Sequence, residues 1–166
     1  MASISDITIQ PADASHLQSI LSLLPELADF DVPPRRNPDH LWQGDAEVAR
    51  QYLADTRADN SADNNRFIDV AVNQANGQVL GVVIVTMRPE LLSQAPSAHL
   101  EGIVVHADAR GTGLGRRLLR HVETEVKRRG AESLTLHVFA NNRRAHSLYT
   151  AEGFDSELIR AVKWLS

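Results

Sequence analysis

Residues 110–115 read Arg-Gly-Thr-Gly-Leu-Gly, and this glycine turn constrains the fold of the chain more than any other feature. The apolar stretch at 98–105 precedes it and predicts a strand. A helical pattern follows from Gly113, with apolar residues at Leu114, Leu118, Leu119, Val122 and Val126, and ends at Gly130. The first N–H groups of such a helix lack internal partners and lie at the positive end of its dipole. The turn therefore predicts a binding site for an anion such as a phosphate.

The other patterns predict a single α/β domain over residues 1–166, with one mixed sheet and helices on both faces. Apolar and polar residues alternate from Ile4 to Ile9 and predict a strand that stops at Pro11. A helix capped by Asp13 or Ser15 is expected to run to about Phe30, and Asp45 is expected to cap a second helix. Asn76-Gly77 predicts a hairpin between strands at 66–72 and 79–87. Further strands are expected at 98–105, 133–139 and 157–165, with a short helix at 142–152 closed by Gly153. The predicted order is β-α-α-β-β-β-α-β-α-β, and residues 56–65 are expected to be exposed.

Composition excludes several classes of function. The net charge of −4 lacks the basic excess of a nucleic-acid binder. There is no cysteine, so disulfides and thiolate metal clusters are impossible. No histidine pair has the close spacing of a metal site, and we predict no metal. The start of the chain does not resemble a signal peptide, and no stretch is apolar enough to span a bilayer. We therefore expect the cytoplasm and no membrane partner.

The common nucleotide motifs do not fit the glycine turn. The dinucleotide fingerprint needs a third glycine where this chain has Arg116. The P-loop ends in Gly-Lys-Ser or Gly-Lys-Thr, whereas this turn ends in Gly115-Arg116-Arg117. A nucleotide-binding domain of another type stays a weaker alternative. A third interpretation of residues 110–115 is purely structural: a tight turn between strand and helix, with its arginines in solvent and no ligand.

Two segments resemble the GNAT superfamily of acetyl-CoA-dependent N-acetyltransferases. Residues 110–115 resemble its Arg/Gln-x-x-Gly-x-Gly/Ala signature, and residues 142–154, Asn-Arg-Arg-Ala-His-Ser-Leu-Tyr-Thr-Ala-Glu-Gly-Phe, resemble its second conserved segment. The specific match covers about residues 97 to 154. The resemblance implies a GNAT fold and acetyl-CoA as co-substrate. It also implies that the turn, Arg110, Gly111, Thr112, Gly113, Leu114, Gly115 and Arg116, binds the pyrophosphate of coenzyme A. The strand at Ile103, Val104 and Val105 would pair with the pantetheine arm, which Asn142 would also contact.

The resemblance also suggests catalytic residues. Tyr149 stands where the family has the tyrosine beside the sulfur, and a phenol can protonate a thiolate leaving group. The alternative is that the Tyr149 ring only packs the short helix at 142–152 against the sheet. The oxyanion donor is expected to be the backbone N–H of Val104 or Val105. Glu101, in an apolar strand and expected to share a face with Ile103, is a candidate base, as is His137 in the next strand. The reaction could also proceed without a base, on amine that is already neutral.

The predicted function is therefore an enzyme, an N-acetyltransferase that acts on a primary amine of a small molecule or peptide by direct attack in a ternary complex. A non-catalytic acyl-CoA-binding or sensing module is the alternative. The family resemblance implies that the loop at 29–45 covers the acceptor site; the alternative is an ordinary polar lid without direct contact. The sequence leaves the oligomeric state open; the apolar edge of the last strand could pair with another chain and form a homodimer.

Overall fold

The computed structural model describes residues 4–55 and 65–165. Within them a five-stranded sheet has the order β1-β2-β3-β4-β5, with β1 Ile7–Pro11, β2 Arg66–Asn73, β3 Val79–Pro89, β4 Pro96–Val105 and β5 Ser133–Leu136. The first four strands are antiparallel neighbours, and β5 lies parallel to β4. The α-helices are α1 Leu17–Leu23, α2 Gln43–Asp55, α3 Leu114–Arg128 and α4 Arg143–Ala151. The predicted mixed α/β sheet is confirmed, and none of these helices is long and apolar enough to cross a membrane.

Helices cover both faces of the sheet, as predicted. The apolar side of α3, from Leu114 to Val126, packs on one face together with Val83, Val85 and Leu100. On the other face, α1 and α2 pack against Val70, Val82 and Ile84. Neighbouring residues of β2 and β3 point to opposite faces, so β2 after Arg66 and residues 79–85 of β3 are buried.

The hairpin and the glycine turn form where the sequence predicts them. Gly77 has φ +72° between β2 and β3, and its N–H donates to the Asn73 carbonyl oxygen at 2.7 Å. Gly111 and Gly113 have φ +72° and +89°, a conformation that side chains disfavour. Gly113 is the N-cap of α3.

The first two predicted helices differ from the structure. Pro25 has no N–H to donate to the preceding turn, so α1 ends at Leu23 and a short 3-10 helix, Leu24–Ala28, replaces its predicted second half. The Asp13 cap is confirmed, but for a 3-10 helix, Ala14–His16, that leads into α1: the Asp13 side chain accepts from the Ser15 N–H at 2.8 Å. The second helix begins at Gln43, so Asp45 lies inside its first turn and is not its cap.

The predicted last strand is wrong. Residues 155–165 form no regular structure and are exposed, Ile159 to 97% and Leu165 to 87%. Their alternating apolar pattern finds no buried face within the described chain, and burial is what makes such a pattern a strand. The observed order is therefore β-α-α-β-β-β-α-β-α. The fifth strand also ends early, at Leu136, whereas the pattern predicts a strand to Phe139. Residues 56–64, expected to be exposed, lie outside the described residues.

Candidate active site

A cavity of about 510 Å³ opens where β4 and β5 diverge. The two strands pair only as far as Leu100 and Leu136, while β4 continues to Val105 beside β3 alone. The edge of β4 from 101 to 105 therefore has no β5 partner and forms one wall of the cavity. The glycine turn, the start of α4 and the segment at 26–30 supply the other walls.

The glycine turn presents backbone donors to this cavity. The Arg117 N–H donates to the Gly113 carbonyl oxygen at 3.0 Å, so the N–H groups of residues 114–116 precede the first bond of α3. Gly115 instead allows α3 and α4 to approach each other closely, because a Cβ at this position would lie 3.2 Å from the Leu148 side chain of α4. Thr112 does not line the cavity; its hydroxyl donates to the Ala109 carbonyl oxygen at 2.5 Å and closes the turn.

The two arginines of the turn are engaged in ion pairs. Arg110 lines the cavity, and its guanidinium pairs with Glu26 and with Asp29, the latter at 2.6 Å. The hydrogen bond from Arg110 lowers the pKa of Asp29. Arg116 pairs at 2.6 Å with Glu152, at the end of α4. Arg110 therefore ties the segment at 26–29 to the turn, and any phosphate would compete with these carboxylates.

Two further contacts hold the segment that follows Asp29 across the cavity. The Asn141 side-chain amide donates to the Asp31 carbonyl oxygen. The rings of Phe30 and Phe139 lie 5.4 Å apart, between the segment and the chain after β5. The loop expected to cover the acceptor site thus contacts both sides of the gap between β4 and β5.

A β-bulge places Glu101 on an unexpected face. The pairing of β4 with β3 shifts between Ile84 and Val85, where Ile84 pairs with Gly102 and Val85 with Leu100. Ala98 and Leu100 pack on the α3 side before the bulge, and Ile103 and Val105 do so after it. Glu101 therefore does not share a face with Ile103, because the extra residue reverses the alternation. Its side chain lies near His99 and Arg88, with closest N–O distances of 4.0 and 3.7 Å.

His99 is a buried neighbour of Glu101 that sequence reasoning missed. Its Nδ1 lies 2.8 Å from the Thr135 hydroxyl, and its ring contacts the His137 ring at 4.7 Å. Burial and the charge of Arg88 lower the pKa of His99 to about 4, so the ring is neutral at pH 7. The sequence did contain a signal for His99: residues two positions apart in a strand share a face, so His99 is expected on the same side of β4 as Glu101.

Tyr149 reaches the cavity from the middle of α4. Its ring packs edge-on against Phe154, with centroids 5.7 Å apart. Burial raises the pKa of Tyr149 to about 12, so the phenol is protonated at neutral pH. Asn142 lines the cavity as the N-cap of α4, and its side-chain oxygen accepts from the Ala145 N–H at 3.3 Å.

The model of the acetyltransferase (GNAT) family matches residues 28–154.

The chain belongs to the acetyltransferase (GNAT) family.

A GNAT relative of known activity is the ribosomal protein bS18-alanine N-acetyltransferase of Escherichia coli K12. It is 34% identical over 100 residues, which cover 60% of this chain and 63% of the relative. The Salmonella typhimurium protein of that name is 43% identical over 63 residues, 38% of this chain and 43% of its own length. These matches span less than two thirds of the relatives.

Solved structures share the whole fold. An aminoglycoside antibiotic 6'-N-acetyltransferase from Acinetobacter baumannii has a TM-score of 0.68 at 21% identity, covering 96% of this chain and 99% of that one. A transcriptional regulator from Bacillus halodurans C-125 has a TM-score of 0.70 at 23% identity, with coverage of 96% and 99%.

The GNAT chain thus brings all but one of the predicted site residues to one cavity. They are Glu101, Ile103, Val104, Val105, Arg110, Gly111, Gly113, Leu114, Gly115, Arg116, His137, Asn142 and Tyr149. Thr112 is the exception. Their roles stay predictions. No group of three or more metal-ligating side chains occurs in residues 4–55 and 65–165, and the absence of a metal also stays a prediction.

Proposed function

We propose that the protein transfers an acetyl group from acetyl-CoA to a primary amine of a small molecule or peptide. The observation that carries this proposal is one cavity that joins the glycine turn to Glu101 and Tyr149. The family match supports it. The acceptors named for its relatives, an alanine of a ribosomal protein and aminoglycosides, both carry amines.

Backbone groups are the main coenzyme ligands in this proposal. The free N–H groups at the start of α3 suit a pyrophosphate, because they are donors at the positive end of a helix of 15 residues. The unpaired edge of β4 at 103–105 suits the amide groups of a pantetheine arm, which would add to it like a strand. Asn142 contacts the arm from the start of α4. Arg116, which is paired with Glu152, supplies positive charge nearby, and Arg110 is paired with two carboxylates.

The remaining residues carry the chemistry of acyl transfer. Glu101 accepts a proton from the acceptor, and His137 is the second candidate base. The backbone N–H of Val104 or Val105 donates to the carbonyl oxygen of the thioester, where charge develops. Tyr149 donates a proton to the departing sulfur; at pH 7 its phenol is fully protonated.

Binding and turnover test this proposal separately. Calorimetric titration with coenzyme A and ATP measures the first, and thiol release from acetyl-CoA with a panel of primary amines measures the second. Gly113→Glu is expected to abolish coenzyme binding, because it adds bulk and negative charge at the turn. Gly77→Glu is the matched control, since Gly77 has positive φ as Gly113 does but lies in the hairpin, with open space around it. Normal coenzyme affinity in folded Gly113→Glu would contradict the assigned site. Tight coenzyme binding without turnover of any amine would favour the non-catalytic acyl-CoA-binding module.

Location and assembly belong to the same proposal. We expect a cytoplasmic protein and a homodimer. The exposed apolar side chains at the end of the described chain, Leu158, Ile159, Val162, Trp164 and Leu165, support self-association. Sedimentation of the protein and of a variant with Ile159 and Leu165 changed to Ser tests the dimer.

A further inference from the structure

Asp45 is a half-buried carboxylate that lies directly behind Gly102, a residue of the cavity wall, although Asp45 does not itself line the cavity. It lies in the first turn of α2, and its Oδ2 is 3.2 Å from the position that a Cβ on Gly102 would occupy. It has no hydrogen bond or ion pair within residues 4–55 and 65–165. A carboxylate removed from water without a partner is costly, so such a group in a proposed enzyme suggests a ligand.

The β4 bulge brings a second carboxylate to the same place. Because Glu101 is the extra residue, it and Gly102 both face α2, and Gly102 leaves room for Asp45. Glu101, Gly102, Leu27 and Leu41 all line this end of the cavity. Gly102 carries no side chain that could stand between the two carboxylates.

The charged groups around this pair come from three strands. Arg66 of β2 attracts Asp45 electrostatically, and Arg88 of β3 approaches Glu101 at 3.7 Å. His99 is neutral at pH 7, so it adds no charge to the site. Burial first, and the charge of Glu101 second, raise the pKa of Asp45 to about 6. Above that pH the Asp45 carboxylate is ionised and accepts hydrogen bonds only.

We propose that Asp45 is a specificity-determining residue that receives the acceptor as an ammonium ion, beside Glu101. The substrate class is then aliphatic primary amines, which arrive protonated at neutral pH, and not neutral aromatic amines. This inference rests on the proposed function.

The proton balance of the reaction fits this arrangement. Glu101 takes one proton from the ammonium and passes it to solvent, and Asp45 remains ionised. The neutral nitrogen forms the C–N bond as the C–S bond breaks. Tyr149 gives its proton to the departing sulfur, and a second proton lost from the nitrogen restores the Tyr149 phenol. The products are an amide, a free thiol and one proton.

Carboxyl carbon-13 NMR on the full chain tests the binding step without turnover. The probes, added to protein saturated with coenzyme A, are alaninamide and its neutral hydroxyl counterpart lactamide. The Asp45 resonance is identified by its loss in Asp45→Asn. We expect alaninamide to shift this resonance. We also expect it to move the midpoint of the pH titration of this resonance below about pH 6, because a nearby cation favours the ionised carboxylate. Lactamide should do neither. An Asp45 resonance that ignores alaninamide would overturn the inference.

Steady-state kinetics with an alanine-first peptide test the same residue in catalysis. Asp45→Asn is expected to raise KM by about tenfold to a hundredfold, the usual worth of a hydrogen bond to a charged group, and to change kcat little. For the unchanged protein KM should rise below about pH 6, and for the variant it should not. Glu47→Gln, on the exposed side of the same helix, is the matched control and should behave as the unchanged protein.

The outcomes separate the two proposals. Turnover by the unchanged protein together with a normal KM in Asp45→Asn refutes the role of Asp45 and leaves the acetyltransferase intact. An alaninamide-dependent NMR shift without turnover of any amine refutes the acetyltransferase and supports the ammonium site. No shift and no turnover would refute both.

Discussion

Tyr149→Phe removes one hydroxyl from the proposed site and leaves the packing of its ring. The ring keeps its edge-on contact with Phe154 at 5.7 Å. The hydroxyl makes no hydrogen bond within the described chain, and it is not a buried unsatisfied group either. It therefore faces the cavity. Its loss should change the free energy of unfolding by less than about 0.5 kcal/mol, as for a substitution that breaks no internal bond.

The effect on turnover should be much larger. A positioned general acid contributes about 10²–10⁴ in rate, which corresponds to about 3–5 kcal/mol of activation free energy. Since burial raises the pKa of Tyr149 to about 12, its ionisation should produce no alkaline loss of kcat below about pH 10. Stability and turnover should thus respond very differently to the same atom.

Three measurements check this prediction: thermal unfolding, calorimetric coenzyme A affinity, and thiol release at saturating amine. Tyr52→Phe is the control, because it is the same chemical change on α2, and Tyr52 does not line the cavity. If Tyr149→Phe keeps turnover within about twofold of the unchanged protein, the proton donor is another group and Tyr149 only packs.

Three other predictions follow from named contacts. Gly81→Ala should destabilise the protein by about 1–3 kcal/mol, measured by denaturant unfolding, because the new Cβ would lie 2.8 Å from Leu118 and 3.2 Å from the Val104 carbonyl oxygen. Arg110→Gln should raise KM for the acceptor but leave coenzyme A affinity within about threefold, because its guanidinium holds the acidic segment at 26–29. Asp45→Asn should raise the melting temperature more at pH 8 than at pH 4. The folded-state pKa is raised to about 6, so the folded protein binds that proton more tightly than the unfolded chain, and Asp45 lowers stability as pH rises from about 4 through 6.

Each of these has a control or a contrary result. Gly44→Ala, on α2 with open space around it, should stabilise by about 0.5–1 kcal/mol through helix propensity; a similar loss in both glycine variants would mean that packing is not the cause. A large loss of coenzyme A affinity in Arg110→Gln would assign its guanidinium to the phosphates. An equal shift in melting temperature at both pH values would remove ionisation as the reason for the Asp45 effect. If it is the reason, Asp45→Asn gains stability while acceptor binding weakens, a common trade-off at functional sites.

The sequence alone determined the local parts of this protein. The glycine turn, the apolar stripe of α3, the Asn76-Gly77 hairpin and the cap at Asp13 each depend on a few neighbouring residues, and all form as predicted. Family motifs at 110–115 and 142–154 also predicted which residues meet at one cavity. Pro25 is a local signal too, and it explains the early end of α1.

Only the tertiary structure decided what depends on distant partners. The stretch at 157–165 has the pattern of a strand but no buried face to pack against in the described chain. The bulge at Glu101 comes from the pairing of β4 with β3, and it reverses which side chains face α2. Asp45 and Glu101 are 56 positions apart along the chain, and no periodicity relates them. They meet because α2 packs on the sheet where Gly102 leaves space, and the surface that a helix buries is decided by its whole set of contacts.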